Sequence, residues 1–302
     1  MIKSEHDTIP TVHGNAVARD LWWTATSPPL MTNVDRLPQL DAARRAALRK
    51  EVLPATHRLE AMPLQEALVT VGAEGWRVGH YFELLVAHWL QEIPGWELLA
   101  TNHPVRQDKQ TLGAYDFIVR NANGQAEHWE VAVKFYLRRE ENQSWHSWVG
   151  PNQRDRLDKK VNRMRDHQLV LSQRDVGKAA LHELGVTEIH HRVALLKGIF
   201  FTEWDTPPTG PEASTSDAKG RWADESRLSE LAHAFPESRW IRREKPFWLA
   251  PLHQLPLERD NGRLPKDIQR PEMWARLQEA SNGNWDEVER WFLVPMDWKD
   301  RR

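Results

Sequence analysis

Residues 111–137, TLGAYDFIVRNANGQAEHWEVAVKFYL, carry two acids and a lysine at spacings that let them share one face of a sheet. In the second half, Trp129, Val131, Val133, Phe135 and Leu137 alternate with His128, Glu130, Ala132, Lys134 and Tyr136. One face is therefore apolar and the other polar. The turn before it lies in Asn121-Ala122-Asn123-Gly124-Gln125. A two-residue Asn123-Gly124 turn pairs Asp116 with Val131 and mixes the apolar and polar sets. A three-residue loop, Ala122 to Gly124 with Gly124 left-handed, sets Asp116 opposite Glu130. It also puts Tyr115, Phe117 and Val119 on the apolar face. A slip of one residue turns every side chain to the other face, so the three-residue loop is favoured.

That register brings two carboxylates together. Opposed strand residues have Cβ atoms about 4.5–5.5 Å apart, so the pair needs a cation or a shared proton. Hard oxygens suit a divalent ion such as Mg²⁺ or Mn²⁺. Lys134, on the same face, could orient a water or stabilise charge on a phosphate. Glu83 stands at the border of an apolar helical stripe, with the small Gly79 and Ala87 one turn to either side. It could serve as an outer metal ligand or bond to a bound water. Each residue alone also has an ordinary structural reading: a satisfied strand aspartate, a snorkelling lysine, a helix-surface glutamate.

The elements that must position these groups are readable from periodicity. Residues 77–92 form a helix with Val78, Tyr81, Phe82, Leu85, Val86 and Trp89 on one stripe. Strands follow at 96–105, 112–120 and 127–137. Gly150-Pro151-Asn152 opens a long helix to about residue 174, with Leu157, Val161, Met164, Gln168 and Leu171 in its stripe. Arg154, Arg156, Lys159, Lys160, Arg163 and Arg165 make that helix basic. Residues 191–203 read as a buried strand. Upstream, residues 40–53 form a helix that Pro54 stops. Downstream, a helix is expected near 222–234. The domain reading is a mainly helical extension over 1–76, a core over 77–205, a linker over 206–220 and a C-terminal addition over 221–302. The fold class is α/β, with helix, three-strand antiparallel meander, helix and further strand in that order.

Composition narrows the function classes. The chain has 302 residues, no cysteine, 41 basic and 43 acidic residues and a formal charge of -2. Disulfides, thiolate zinc sites and a cysteine nucleophile are thereby excluded. The balanced charge argues against a wholesale polyanion binder and leaves room for a local basic groove. No apolar run reaches membrane-spanning length and the N-terminus lacks a signal-peptide pattern, so a cytoplasmic protein is expected. No HExxH, Walker-type loop, GxGxxG or GxSxG occurs. The 16 Trp read either as packing or as a surface on which bases stack.

The runs RDLWWTATSPPLM, GHYFELLVAHWL, TLGAYDF, HWEVAVKFYL, GPNQRDRLDKK and LLKGIFF resemble the bacterial domain-of-unknown-function family numbered 1853. The arrangement also resembles the PD-(D/E)XK (restriction-endonuclease-like) nuclease superfamily, whose core has the same element order. That resemblance implies Asp116 as the second-strand metal ligand, Glu130 as the third-strand acid, Lys134 as the lysine and Glu83 as the helix-borne acid. Two departures stand out. Superfamily spacing sets acid and lysine two residues apart, whereas Ala132 fills that place here and Glu130 to Lys134 spans roughly 13 Å between Cα atoms. Ala114 stands where an acid is more common in relatives. The resemblance implies a Mg²⁺- or Mn²⁺-dependent phosphodiesterase acting on DNA or RNA. The alternatives are a catalytically degenerate module that binds nucleic acid or protein, and carboxylates kept for structure, neutralised by Lys134 and His128.

Overall fold

Alternating apolar residues and a left-handed glycine build the hairpin at the centre of the molecule. The computed structural model describes residues 15–300 apart from 74, 76, 143, 213, 215–218 and 258–261. The N-terminal helices are α1 (Ala16–Thr26), α2 (Ala42–Glu60), α3 (Leu64–Thr70) and α4 (Val78–Glu92). Strands β1 (Glu97–Gln107), β2 (Gln110–Arg120) and β3 (Ala126–Arg138) form an antiparallel meander. Phe117 pairs with Trp129 and Arg120 with Ala126. Gly124 has φ +76° and its N–H bonds to Asn121 C=O, closing the expected three-residue loop.

After the short β4 (Trp148–Val149) come α5 (Leu157–Arg163), α6 (Asp175–Glu183) and β5 (His191–Glu203). β5 runs parallel to β3 along its length, from Glu127–His191 to Leu137–Phe201. The chain then adds β6 (Lys219–Asp224), α7 (Leu228–Ala234), β7 (Arg239–Arg242), β8 (Glu272–Glu279) and β9 (Trp285–Val294). These strands extend the same sheet, whose order is β1-β2-β3-β5-β6-β9-β8-β7, with β4 on β3. The fold is α/β with one large mixed sheet. No helix among the described residues is long and apolar enough to cross a membrane.

Helices cover the two faces of the meander. Phe117, Val119, Trp129, Val131, Val133, Phe135 and Leu137 pack with α1, α2 and α4 in the main core. The opposite face carries Ala132 and Tyr136 against Leu157, Val161 and Met164 of the α5 segment. Among the described residues eleven Trp are buried, Trp89, Trp129, Trp148 and Trp222 included, which favours packing over an exposed stacking surface.

Several expectations need correction. α2 runs through Pro54 to Glu60. Pro54 sits on the exposed side, where water can meet the carbonyl left without its N–H, while Leu48, Val52, Ala55 and Leu59 keep one buried stripe. The helix expected from residue 150 begins at Leu157, because Gly150 N–H bonds to Asp155 C=O and the segment between them loops. It does not run on to 174: a π-helical turn, Met164–Gln168, follows α5, and α6 is a separate helix. Residues 219–224 are a strand, so the helix expected near 222 begins only at Leu228. Tyr115 leaves the apolar face and packs with Ile118 and against the His128 ring at 4.8 Å. The β2–β3 pairing ends at Phe117–Trp129, and beyond it the simple alternation no longer holds. Residues 1–14 of the expected extension and 213 and 215–218 of the expected linker lie outside the described residues.

Candidate functional site

Asp116 and Glu130 meet where β2 and β3 part. The Asp116 carboxylate accepts the Val131 N–H at 2.9 Å, taking the place of a ladder carbonyl. Glu130 is fully buried and Asp116 partly so. His128 Nε2 lies 2.8 Å from Glu130 Oε1, and Gln168 Nε2 donates to Glu130 Oε2 at 2.5 Å. The π turn carries Gln168 there: Leu169 N–H bonds to Met164 C=O, five residues back, which shifts the helical stripe toward the acid. Behind His128, Ser172 Oγ lies 3.2 Å from Nδ1 and accepts from Arg192 Nε at 2.9 Å.

Electrostatics follow burial. Desolvation, then repulsion from Glu130, pushes the Asp116 carboxyl far above the usual range. Desolvation raises Glu130 in the same way, against its hydrogen bonds from Asp116 and the pull of Lys160. The two acids thus hold a proton between them more readily than two exposed carboxylates would. Burial drives His128 down to about 3, so its ring is neutral at pH 7. A neutral ring protonated on Nε2 donates to Glu130 and accepts from Ser172. Glu83 on α4 is half-buried; burial and the Asp116 charge raise its pKa, while His80, 3.7 Å away, lowers it.

The structure brings Asp116 and Glu130 together and sets Glu83 within the field of Asp116. Lys134 is paired with a different acid: its Nζ donates to Asp155 Oδ2 at 2.5 Å, in the loop before α5, where Tyr136 OH also reaches Asp155. Sequence periodicity put Lys160 among the basic face of the long helix. In the fold its side chain is half-buried and feels both Asp116 and Glu130. Its Nζ donates to Gln168 Oε1 at 3.3 Å. Gln168 was visible only as a polar interruption in an apolar stripe. Ser172, Asp155 and Arg192 gave no signal in the sequence.

Among the described residues no three His, Asp or Glu side chains group as a metal cluster. Two facing carboxylates are nevertheless a donor set that Mg²⁺ accepts, since it takes one or two protein carboxylates and completes its shell with water and phosphate oxygens. Among curated proteins and among solved structures there is no significant match to the chain. Residues 19–294 match the family model described as "Domain of unknown function (DUF1853)", and the chain belongs to that family.

Proposed function

We propose that the chain is a divalent-metal-dependent phosphodiesterase acting on nucleic acid, built on a PD-(D/E)XK-like core. The observation that carries this reading is the Asp116–Glu130 pair, two facing acids, one partly and one fully buried, with raised pKa values where β2 and β3 part. The succession α4, β1–β3, α5 and β5, with β5 parallel to β3, supports the same reading. Asp116 and Glu130 would hold Mg²⁺ or Mn²⁺, and Glu83 would bond to a water beside it. The ion when bound supplies Lewis-acid stabilisation of the phosphate charge and lowers the pKa of its water. Asp116 and Glu130 keep their oxygens aimed by the Val131 N–H, His128 and Gln168. Hydrolysis consumes one water: its oxygen bonds to phosphorus, the P–O bond to the leaving sugar oxygen breaks, and the proton lost by the water balances the one gained by that oxygen.

Single- and double-stranded DNA and RNA incubated with Mg²⁺ or Mn²⁺ test the reading. Cleavage by the wild type should fall at least about 100-fold in Asp116→Asn, the loss typical when a group that stabilises transition-state charge is removed. Hydrolysis equal in both proteins sinks it.

One observation favours a second reading. Both Glu130 oxygens are already bonded and Lys134 is held by Asp155. A non-catalytic binding module needs no more than that. It predicts nucleic-acid binding that persists in Asp116→Asn without metal.

A further inference from the structure

We infer that the lysine serving the acid pair is Lys160 of α5, which replaces Lys134 of β3. The inference rests on the phosphodiesterase reading above. Lys134 stands four positions beyond Glu130, and the Lys134 amine is committed to Asp155 at 2.5 Å. The nearer position on the same face is Ala132. Its methyl is buried in one cluster with Leu157, Val161 and Met164. A small residue there lets α5 approach the sheet; a lysine there would have to displace the helix. The space that a strand-borne lysine would cross is thus filled from the opposite layer.

Lys160 springs from that same stretch of helix. It lies three residues after Leu157 and four before Met164, so it borders the face that covers Ala132. Its stem is half-buried, and its amine bonds to Gln168 Oε1 while the other end of that amide bonds to Glu130. Gln168 is a positioning residue that spans lysine and acid. Burial and the nearby Lys134 lower the Lys160 pKa, and the Asp116 and Glu130 charges hold it up. An ammonium there can donate to a non-bridging oxygen of a phosphate seated on the acids, where negative charge develops.

Three full-length variants, Lys160→Met, Lys160→Arg and Lys134→Met, compared with the wild type test this. Cleavage in Lys160→Met should fall about 100-fold or more, with partial recovery in Lys160→Arg. Cleavage in Lys134→Met should stay within about twofold of the wild type. Mn²⁺, titrated calorimetrically at pH 7, should bind Lys160→Met about tenfold more tightly, because a competing cation has left the carboxylates. Full cleavage by Lys160→Met, or a loss confined to Lys134→Met, overturns the inference. A wild type that cleaves nothing overturns the phosphodiesterase reading instead. The Mn²⁺ titration then still reads the lysine, and equal affinity in the wild type and Lys160→Met counts against Lys160 by itself. Thermal melts monitor folding, and Lys160→Gln replaces the Met variant if that one does not fold.

Discussion

At Asp116 the cost of bringing two acids together becomes measurable as a dependence of stability on pH. Its folded pKa lies well above the ordinary 3.8, because of burial and then Glu130. Between those two values the native chain holds a proton that the unfolded chain has lost. Stability from this group is therefore full at acid pH and fades as pH rises through the raised value. Asp116→Asn removes the titration, keeps an oxygen for the Val131 N–H and offers Glu130 a permanent donor. It should melt about 3 °C above the wild type at pH 8 and level with it at pH 4. A melting difference that stays constant from pH 4 to 8 would contradict this account. The facing of Asp116 and Glu130 was legible in the sequence because apolar alternation on both strands and Gly124 in the turn admitted one consistent register. Tyr115 was misplaced because alternation stops holding where the ladder ends. The role of Lys160 was hidden because its link to Glu130 runs through Gln168, which a π turn brings there.

Elements pack closely enough that single backbone positions become decisive. β3 and β5 pair Lys134 with Gly198, which has φ +143°. A Cβ at Gly198 would stand 1.7 Å from the Lys134 carbonyl oxygen. Gly198→Ala should therefore cost about 1–3 kcal/mol in chemical denaturation, from strain and displaced strands together. Wild-type stability in that variant would mean that β3 and β5 do not pair in this register. The helices show where sequence signals were too local. Pro54 carries a stop signal, yet tertiary burial of Leu48, Val52, Ala55 and Leu59 carries α2 past it. Gly150-Pro151 carries a start signal, yet Asp155 C=O takes the Gly150 N–H and the helix begins later.

Across the whole molecule, buried charge ties the N-terminal helices to the C-terminal strands. Glu287 of β9 accepts from Arg243 at 2.7 Å and is bonded to Arg290, and all three are nearly fully buried. Asp20 of α1 joins them by accepting the Ala250 N–H at 2.8 Å and the Tyr81 hydroxyl at 3.1 Å. Glu287→Ala leaves two buried guanidiniums without their acid and should cost about 3–5 kcal/mol, read as a lower denaturant midpoint. The sequence concealed this network, because its partners lie far apart along the chain. Arg154 before α5 and Lys159 and Arg163 on its exposed face add positive charge, and that of Arg163 reaches Glu130. If nucleic acid lies on that face, binding should weaken with salt, and replacing all three with Gln should reduce the log–log slope by about 2–3. An unchanged slope places the polyanion elsewhere.

The segment that follows β9 also sets a clock. Trp298 donates its indole N–H to Pro151 C=O at 2.6 Å, and Gln153 donates to the Trp298 carbonyl. These bonds brace the loop whose Asp155 holds Lys134. Trp298 leaves the ribosome 147 residues after Pro151, a lag of roughly 7–30 s at usual elongation rates. A nascent chain therefore carries both acids and both lysines long before the brace on this loop exists. The loop and its brace are thus separated in synthesis by the strands that extend the sheet beyond β5.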